Sequence, residues 1–363
     1  MTSPIWKPDM VSEGYDIATV VRSNDPRNSL YIQAQLLNAA LERLYGVRTK
    51  LAAGSSNVYS SLRQAVQDGW PVLFHYGSFE PWLILLRGIP QAHLIYHNHT
   101  PLRYCWYWGE KVALLDVLTN LQLRLLNRSI SWIAVSPFNV RCLRQLGYRN
   151  VTYCPCLIST GSEGRRSVVK TREPTLLYVG HISPSKNSLV LLRQARTVAA
   201  RMRRPVNLRI IGDVKPGSLY GYRFEKAVRG MESDPYLQVD WMRKYVSPDR
   251  LSDLYSSSWL YVSCSQHEGF GLPACEAIMN GTPALYSECG GQESVLNDLG
   301  SVSASDPLHF SNAAIELLVR PENRDTLLRA QKEAVAQFTA PGNHAAIRSV
   351  FDPVLAFRTV SAR

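Results

Sequence analysis

Glu268 and Glu276 stand eight residues apart in the run His267-Glu268-Gly269-Phe270-Gly271-Leu272-Pro273-Ala274-Cys275-Glu276, which continues to Gly281-Thr282-Pro283. The first acid precedes a glycine turn, and the second follows a proline. Upstream, Trp259–Cys264 reads as a buried strand. Gly269 and Gly271 permit left-handed backbone angles and close approach of a ligand. Pro273 suits the first position of a helix, and Gly281 suits its end. Strand, glycine turn and helix start are therefore expected in that order. Bare N–H groups and the positive end of a helix dipole would collect at the turn, an anion site suited to a diphosphate. Two carboxylates beside such a site would repel the ligand unless they meet its neutral parts. A carboxylate only accepts hydrogen bonds, so hydroxyls are its natural partners. A diphosphate flanked by two polyhydroxyl groups is a nucleotide-sugar. On this reading Glu276 holds ribose hydroxyls and Glu268 holds the hexose. The bland alternative makes Glu276 a helix-start acid, worth about 0.3–1 kcal/mol, and Glu268 a loop surface residue.

Lys186 lies six residues after Gly180, which closes the strand candidate Thr175–Val179. A compact positive charge at that reach can meet a phosphate, although a solvated surface lysine is the default for a lone residue. In the first half, His93–Pro101 reads HLIYHNHTP, with a strand expected to end at His97. His97 and His99 are candidate polar contacts, or ordinary core and surface histidines. Ser23 and Asn24 follow the first strand and either touch a ligand or simply form a loop.

These residues need a scaffold that brings strand ends together. Strand candidates alternate with helical periodicity throughout: Ile17–Val21, Arg48–Leu51, Val72–His75, His93–His97, Trp132–Ser136 and Val151–Cys154, then Thr175–Val179, Asn207–Ile211, Leu237–Asp240, Trp259–Cys264 and Pro283–Tyr286. Amphipathic stretches such as Leu30–Tyr45 and Lys111–Leu126 lie between them. Alternation of this kind predicts α/β architecture with doubly wound parallel sheets. Residues 159–174 (STGSEGRRSVVKTREP) are polar and lack apolar periodicity, as a linker would. The expected organisation is an N-terminal Rossmann-like domain at 1–158 and a C-terminal nucleotide-sugar-binding one at 175–340. A helix at 343–357 would pack back on the first. Two such domains would face across a cleft, with ligands beyond the carboxyl ends of the strands.

Composition narrows the class. The chain has 363 residues and a formal net charge of +11. That excess of cations allows nucleic acid, an anionic membrane surface or a phosphorylated substrate as partner. The basic residues are scattered and carry no nucleic-acid-binding signature, so no nucleic acid is expected. The segment MTSPIWKPDMVSEG shows no apolar core of a signal peptide, and no apolar run is long enough to span a bilayer. Seven cysteines in a chain this long predict reduced thiols and a cytosolic compartment. Cys154-Pro155-Cys156 lacks the second pair that a zinc site needs.

The motif Glu268-Gly-Phe-Gly-Leu-Pro-x-x-Glu276, followed by Ala-x-x-x-Gly-x-Pro, resembles the signature of retaining GT-B glycosyltransferases of family 4, the glycosyl transferases group 1. Leu177-Tyr178-Val179-Gly180 with Lys186-Asn187 resembles that family's donor-phosphate element, and Asn207–Gly212 its next strand. Val239-Asp240-Trp241-Met242 resembles the segment that meets the nucleobase. The resemblance implies a GT-B fold and retaining transfer of a hexosyl group from a UDP- or GDP-linked sugar. The acceptor would be a hydroxyl of a glycan or lipid-linked saccharide in cell-surface polysaccharide or glycolipid biosynthesis. It implies Glu268 and His97 as catalytic residues. Gly180, His181, Lys186, Met242, Gly269, Phe270, Gly271, Leu272 and Glu276 would bind the donor, with Ser23, Asn24 and His99 on the acceptor side. His181 stands where the family often has arginine, Asn98 replaces the usual acid after His97, and the first loop lacks the usual glycines. No Asp-x-Asp occurs, so neither metal nor other cofactor is expected. A helix N-terminus and Lys186 would neutralise the diphosphate. The rivals are a phosphorylase or sugar-nucleotide epimerase on the same architecture, a basic nucleic-acid-binding protein, and a catalytically silent subunit. The aromatic stretch Arg103–Trp108 suggests peripheral contact with an anionic membrane, or packing, or sugar binding.

Overall fold

The computed structural model describes residues 16–26, 28–88, 91–105, 110–158, 168–303, 306–339 and 342–361. Six strands form the first sheet: β1 (Ile17–Val21), β2 (Thr49–Ala53), β3 (Val72–Tyr76), β4 (Ala92–Tyr96), β5 (Ser131–Ala134) and β6 (Val151–Tyr153). Their order is β2-β1-β3-β4-β5-β6. Six more form the second: β7 (Thr175–Val179), β8 (Val206–Ile211), β9 (Leu237–Met242), β10 (Leu260–Ser263), β11 (Ala284–Ser287) and β12 (Ser301–Val302). Their order is β12-β11-β10-β7-β8-β9. Both are parallel sheets, and the strands read as almost unbroken apolar runs because helices cover both faces.

The helices of the first half are α1 (Ser29–Tyr45), α2 (Ser55–Asp68), α3 (Leu102–Cys105), α4 (Glu110–Leu125) and α5 (Pro137–Gln145). The second half has α6 (Ser188–Met202), α7 (Leu219–Arg229), α8 (Pro248–Ser257), α9 (Leu272–Met279) and α10 (Gly290–Leu296). The chain then runs through α11 (Pro307–Val319), α12 (Pro321–Ala336) and α13 (His344–Ser361). Strand expectations fall within one or two residues of the observed ends. The two-residue β12 carried too little apolar signal to be read. β4 stops at Tyr96, so His97 is the first loop residue rather than the last of the strand.

The chain divides into two compact units. One comprises Met1–His75, Pro81–Leu94 and Val354–Arg363, and the other Tyr76–Glu80 and Ile95–Pro353. Residues 159–167 of the expected linker lie outside the described residues, as do Trp106–Gly109 of the aromatic stretch. In the larger unit the second sheet buries Leu176, Tyr178, Leu208, Ile210 and Val262 against Leu192 and Ala195 of α6, Phe224 of α7 and Phe310 of α11. Burying one such Leu, Ile or Phe is worth about 1.5–3 kcal/mol. This packing holds the strand ends still enough to carry a site. The thiols of Cys154, Cys156, Cys264, Cys275 and Cys289 are free and buried, Cys264 within this core.

Candidate active site

The site is built in the larger unit, where the loops after β4, β7 and β10 meet the start of α9. The chain leaves β7 through Gly180, whose N–H donates to the Ile211 carbonyl at 3.0 Å. His181 is exposed, and its carbonyl accepts from the Tyr178 hydroxyl at 3.0 Å. The loop turns back as Lys186 N–H donates to Ser183 O, and Gln266 N–H donates to Ser185 O at 2.8 Å. That second bond ties the β7 loop to the β10 loop. It sets Lys186 opposite Glu268, with Nζ and Oε2 2.7 Å apart. The two side chains are only 26% and 14% exposed, so the pair is shielded from solvent more than a surface ion pair is.

Beyond Glu268 two glycines are obligatory for different reasons. A Cβ on Gly269 would sit 2.4 Å from the His97 carbonyl oxygen, so only glycine lets the end of β4 lie against this loop. Gly271 has φ +90°, and a Cβ there would also meet the Gln292 side chain at 2.7 Å. Gly271 is the N-cap of α9 and offers no side-chain acceptor. Pro273 has no N–H and the Ala274 N–H donates to Gly271 O, which leaves the Leu272 N–H at the helix opening without a partner among the described residues. Leu272 is the first helical residue, with Pro273 next to it. Phe270 turns inward: its ring packs edge-on against Phe338 at 5.3 Å and is 4% exposed. Its side chain anchors the loop, leaving only its backbone for a donor.

Glu276 lies one turn into α9, where its Oε2 accepts from the Tyr255 hydroxyl of α8 at 2.9 Å. Burial pushes its carboxyl up to about 7, while the Tyr255 hydrogen bond pulls the other way. Met242 closes β9, and its carbonyl accepts from Gly212 N–H at 3.1 Å. Beside it the Trp241 indole donates to Gly212 O at 2.9 Å, and the Arg243 guanidinium lies 3.8 Å over the Trp241 ring.

From the β4 side, His97 N–H donates to Tyr76 O, and burial lowers the imidazole to about 4, leaving it neutral at neutral pH. Asn98 adopts φ +74°, a strained angle for a residue with a side chain. Its Oδ1 accepts from the His99 N–H (2.8 Å) and the Tyr96 hydroxyl (3.1 Å). Its Nδ2 is buried without a partner among the described residues. His99 is used by the protein itself: Nδ1 meets the Tyr96 hydroxyl at 2.9 Å and Nε2 lies 3.7 Å from Asp116. Its carbonyl accepts from His267 Nε2 at 2.8 Å, which fixes the tautomer of His267. Burial lowers His267 to about 4, so that donor is a neutral imidazole.

The structure thus brings together Gly180, Lys186, Gly269, Phe270, Gly271, Leu272, Glu268, Glu276, His97 and His99. Met242 ends a strand of the same sheet. Ser23 and Asn24 belong to the other unit, and their described contacts there are local. Ser23 Oγ accepts from Asp25 N–H at 3.1 Å, and Asn24 packs beside Gly54. Sequence reasoning missed four groups. Asn98 was read only as a substituted acid, and Tyr255 gave no local signal. Gly291, whose N–H donates to Glu268 O at 3.0 Å, was announced by the paired glycines that open α10. Gln292 follows it, 1% exposed, with Nε2 unpartnered among the described residues beside Gly271.

Residues 162–334 match the family model described as glycosyl transferases group 1. A D-inositol 3-phosphate glycosyltransferase of Saccharomonospora viridis is 30% identical over 171 residues, covering 45% of this chain and 39% of that relative. The O-antigen chain mannosyltransferase B of Escherichia coli is 33% identical over 150 residues, covering 38% of this chain and 35% of its own. The matched part thus spans less than half the length of either relative. A sucrose-phosphate synthase structure from Thermosynechococcus elongatus superposes with a TM-score of 0.71 at 19% identity, over 94% of this chain and 99% of that one. The architecture is GT-B, and the glycine loop and both glutamates lie within the residues that match the glycosyl transferases group 1 model.

Proposed function

We propose that the protein transfers a hexosyl group, with retention of configuration, from a UDP- or GDP-linked sugar to a hydroxyl of a glycan or lipid-linked saccharide. The observation that carries this reading is the Lys186–Glu268 pair at 2.7 Å, set beside a helix N-terminus that has no side-chain cap. A diphosphate arriving there takes up the uncapped N–H groups and the ammonium. Glu268, freed from Lys186, accepts from hexose hydroxyls. Glu276 accepts from ribose hydroxyls while Tyr255 holds it in place. The unpartnered amides of Asn98 and Gln292 are donors for sugar or phosphate oxygens.

The C1–O bond to the diphosphate breaks as the acceptor oxygen approaches the same face of the sugar. A phosphate oxygen of the leaving nucleoside diphosphate takes the acceptor's proton, so no strong protein base is required. In this reading neutral His97 and its backbone neighbours stabilise the positive charge that develops at C1. The α9 N-terminus and Lys186 stabilise the leaving group without metal. His181 completes the donor side of the assignment. The reaction belongs on the cytoplasmic side of a membrane, in peripheral contact with anionic lipid, and supplies surface polysaccharide or glycolipid.

A thermal-shift panel of nucleoside diphosphates and their sugars tests the assignment. Stabilisation follows RT ln(1 + [L]/Kd), so one donor should stand apart. No shift with any of them would refute the reading. Turnover lost in EDTA and restored by manganese would refute metal independence.

A further inference from the structure

Helix α4 carries an exposed apolar stripe opposite buried polar groups. Beside Ala113 and Leu123, its inward face holds Asp116 and Thr119. Asn120 Nδ2 donates to the carboxylate and carbonyl of Asp116 at 3.0 and 2.9 Å, and Asp116 is 5% exposed. Thr119 is 1% exposed and donates to Leu115 O. Gln122 donates to Glu80 O at 2.7 Å and accepts from both Glu80 N–H and the Tyr76 hydroxyl. Rolling the helix to hide other residues would break the Gln122 bonds to Glu80 and Tyr76, each costly to leave unmade. The outward face is therefore fixed, and it is apolar: Leu114, Val117, Leu121 and Leu125 are 59%, 47%, 51% and 70% exposed. Their spacing of three, four and four residues makes one stripe about 16 Å long. Helix α3, which packs on α4, adds exposed Leu102.

The charged side chains described around the stripe are arginines. Arg124 flanks it on α4, and Arg103 of α3 and Arg128 just past the helix are exposed too. Arg128 is stacked over Tyr148, with its guanidinium donating to the last carbonyls of α4. No acid with a described side chain is exposed on α4. An apolar stripe rimmed by arginines complements an anionic lipid surface: leucines enter the acyl boundary and guanidiniums meet phosphates.

We infer that the outer face of α4, with Leu102 and Arg103 of α3, is the surface by which this protein lies on an anionic bilayer. The inference deepens the proposed reading, in which the acceptor is lipid-linked, and rests on it. The test is flotation of the full chain with phosphatidylcholine vesicles, with and without phosphatidylglycerol, at low and high salt. The wild type should float with the anionic vesicles at low salt. The Leu121→Ser/Leu125→Ser variant should partition at least about tenfold more weakly, and Arg124→Glu should lose chiefly the salt-sensitive part. Thermal shift by nucleoside diphosphate, unchanged in both variants, reports the intact fold and separates failure of docking from failure of the donor site. Wild type left at the bottom of every gradient, or a double variant that floats like it, would overturn the inference. A wild-type dimer that the double variant dissolves would do the same, by giving the stripe to a second copy.

Discussion

Helices α9 and α4 belong to one compact unit and use hydrogen-bonded polar groups to opposite ends. In α9 the interior positions are apolar (Ala274, Cys275, Ala277 and Ile278 are buried), and the polar chemistry sits at its opening turn and at Glu276. In α4 Asp116 and Thr119 are buried, while Leu114, Leu121 and Leu125 are exposed. The first helix offers bare amides to a small anion. The second offers an apolar face to something large. The difference teaches that amphipathic spacing reveals two faces without revealing which is inward; hydrogen bonds decide that.

The largest effect should come from the glycine that lets the β4 loop approach α9. Gly269→Ala puts a methyl group 2.4 Å from the His97 carbonyl, so one loop must move. A shift of that size should cost about 100-fold in kcat/KM, measured by donor turnover, with little change in secondary structure by circular dichroism. Next comes Lys186→Ala, which removes a charge-assisted contact and leaves Glu268 without its 2.7 Å partner. Losing about 1.5–3 kcal/mol should weaken nucleoside diphosphate binding by roughly 10- to 150-fold in calorimetry.

Glu276→Gln sharpens the comparison through pH. The folded carboxyl is raised from 4.5 to about 7, so wild type binds a proton more tightly folded than unfolded. Its contribution to stability is present below the unfolded value and is lost as pH rises to about 7. The Gln variant lacks that loss, and its Tm relative to wild type should climb across this window. Nucleoside diphosphate affinity should do the reverse. In wild type it should rise with pH towards 7, as the carboxylate that accepts ribose hydroxyls forms. In the variant it should be weaker and flat. Tyr255→Phe is gentler: without the 2.9 Å hydrogen bond the carboxyl moves further up. Binding near neutral pH should fall by about fivefold, the value of roughly one kcal/mol. The serine changes on α4 should leave soluble-donor binding at the wild-type value.

Much of this was legible in the sequence because it is local. Two glycines, a proline and two acids within nine positions dictate a turn, a helix start and an anion site. The buried strands announce themselves as Val-, Ile- and Leu-rich runs. What escaped depends on partners far away in sequence. Tyr255 reaches Glu276 from the preceding helix, and His267 reaches the carbonyl of His99. Asn98 matters because its angle and its neighbours leave one amide unused. Phe270 looked like part of the donor loop, yet Phe338 draws its ring into the core. His99 also serves the fold itself, since its Nδ1 meets the Tyr96 hydroxyl. The exposed face of α4 was hidden because Lys111–Leu126 has ordinary amphipathic spacing, and the bonds of Gln122 to Glu80 and Tyr76 fix which face is outward.

The most direct measurement is a crystal structure with the nucleoside diphosphate that gives the largest thermal shift. The account predicts phosphate oxygens within hydrogen-bonding distance of Lys186 Nζ and the Gly271–Leu272 amides, the Lys186–Glu268 bridge opened, and ribose hydroxyls on Glu276. A diphosphate lodged away from the start of α9, with that bridge still closed, would contradict it.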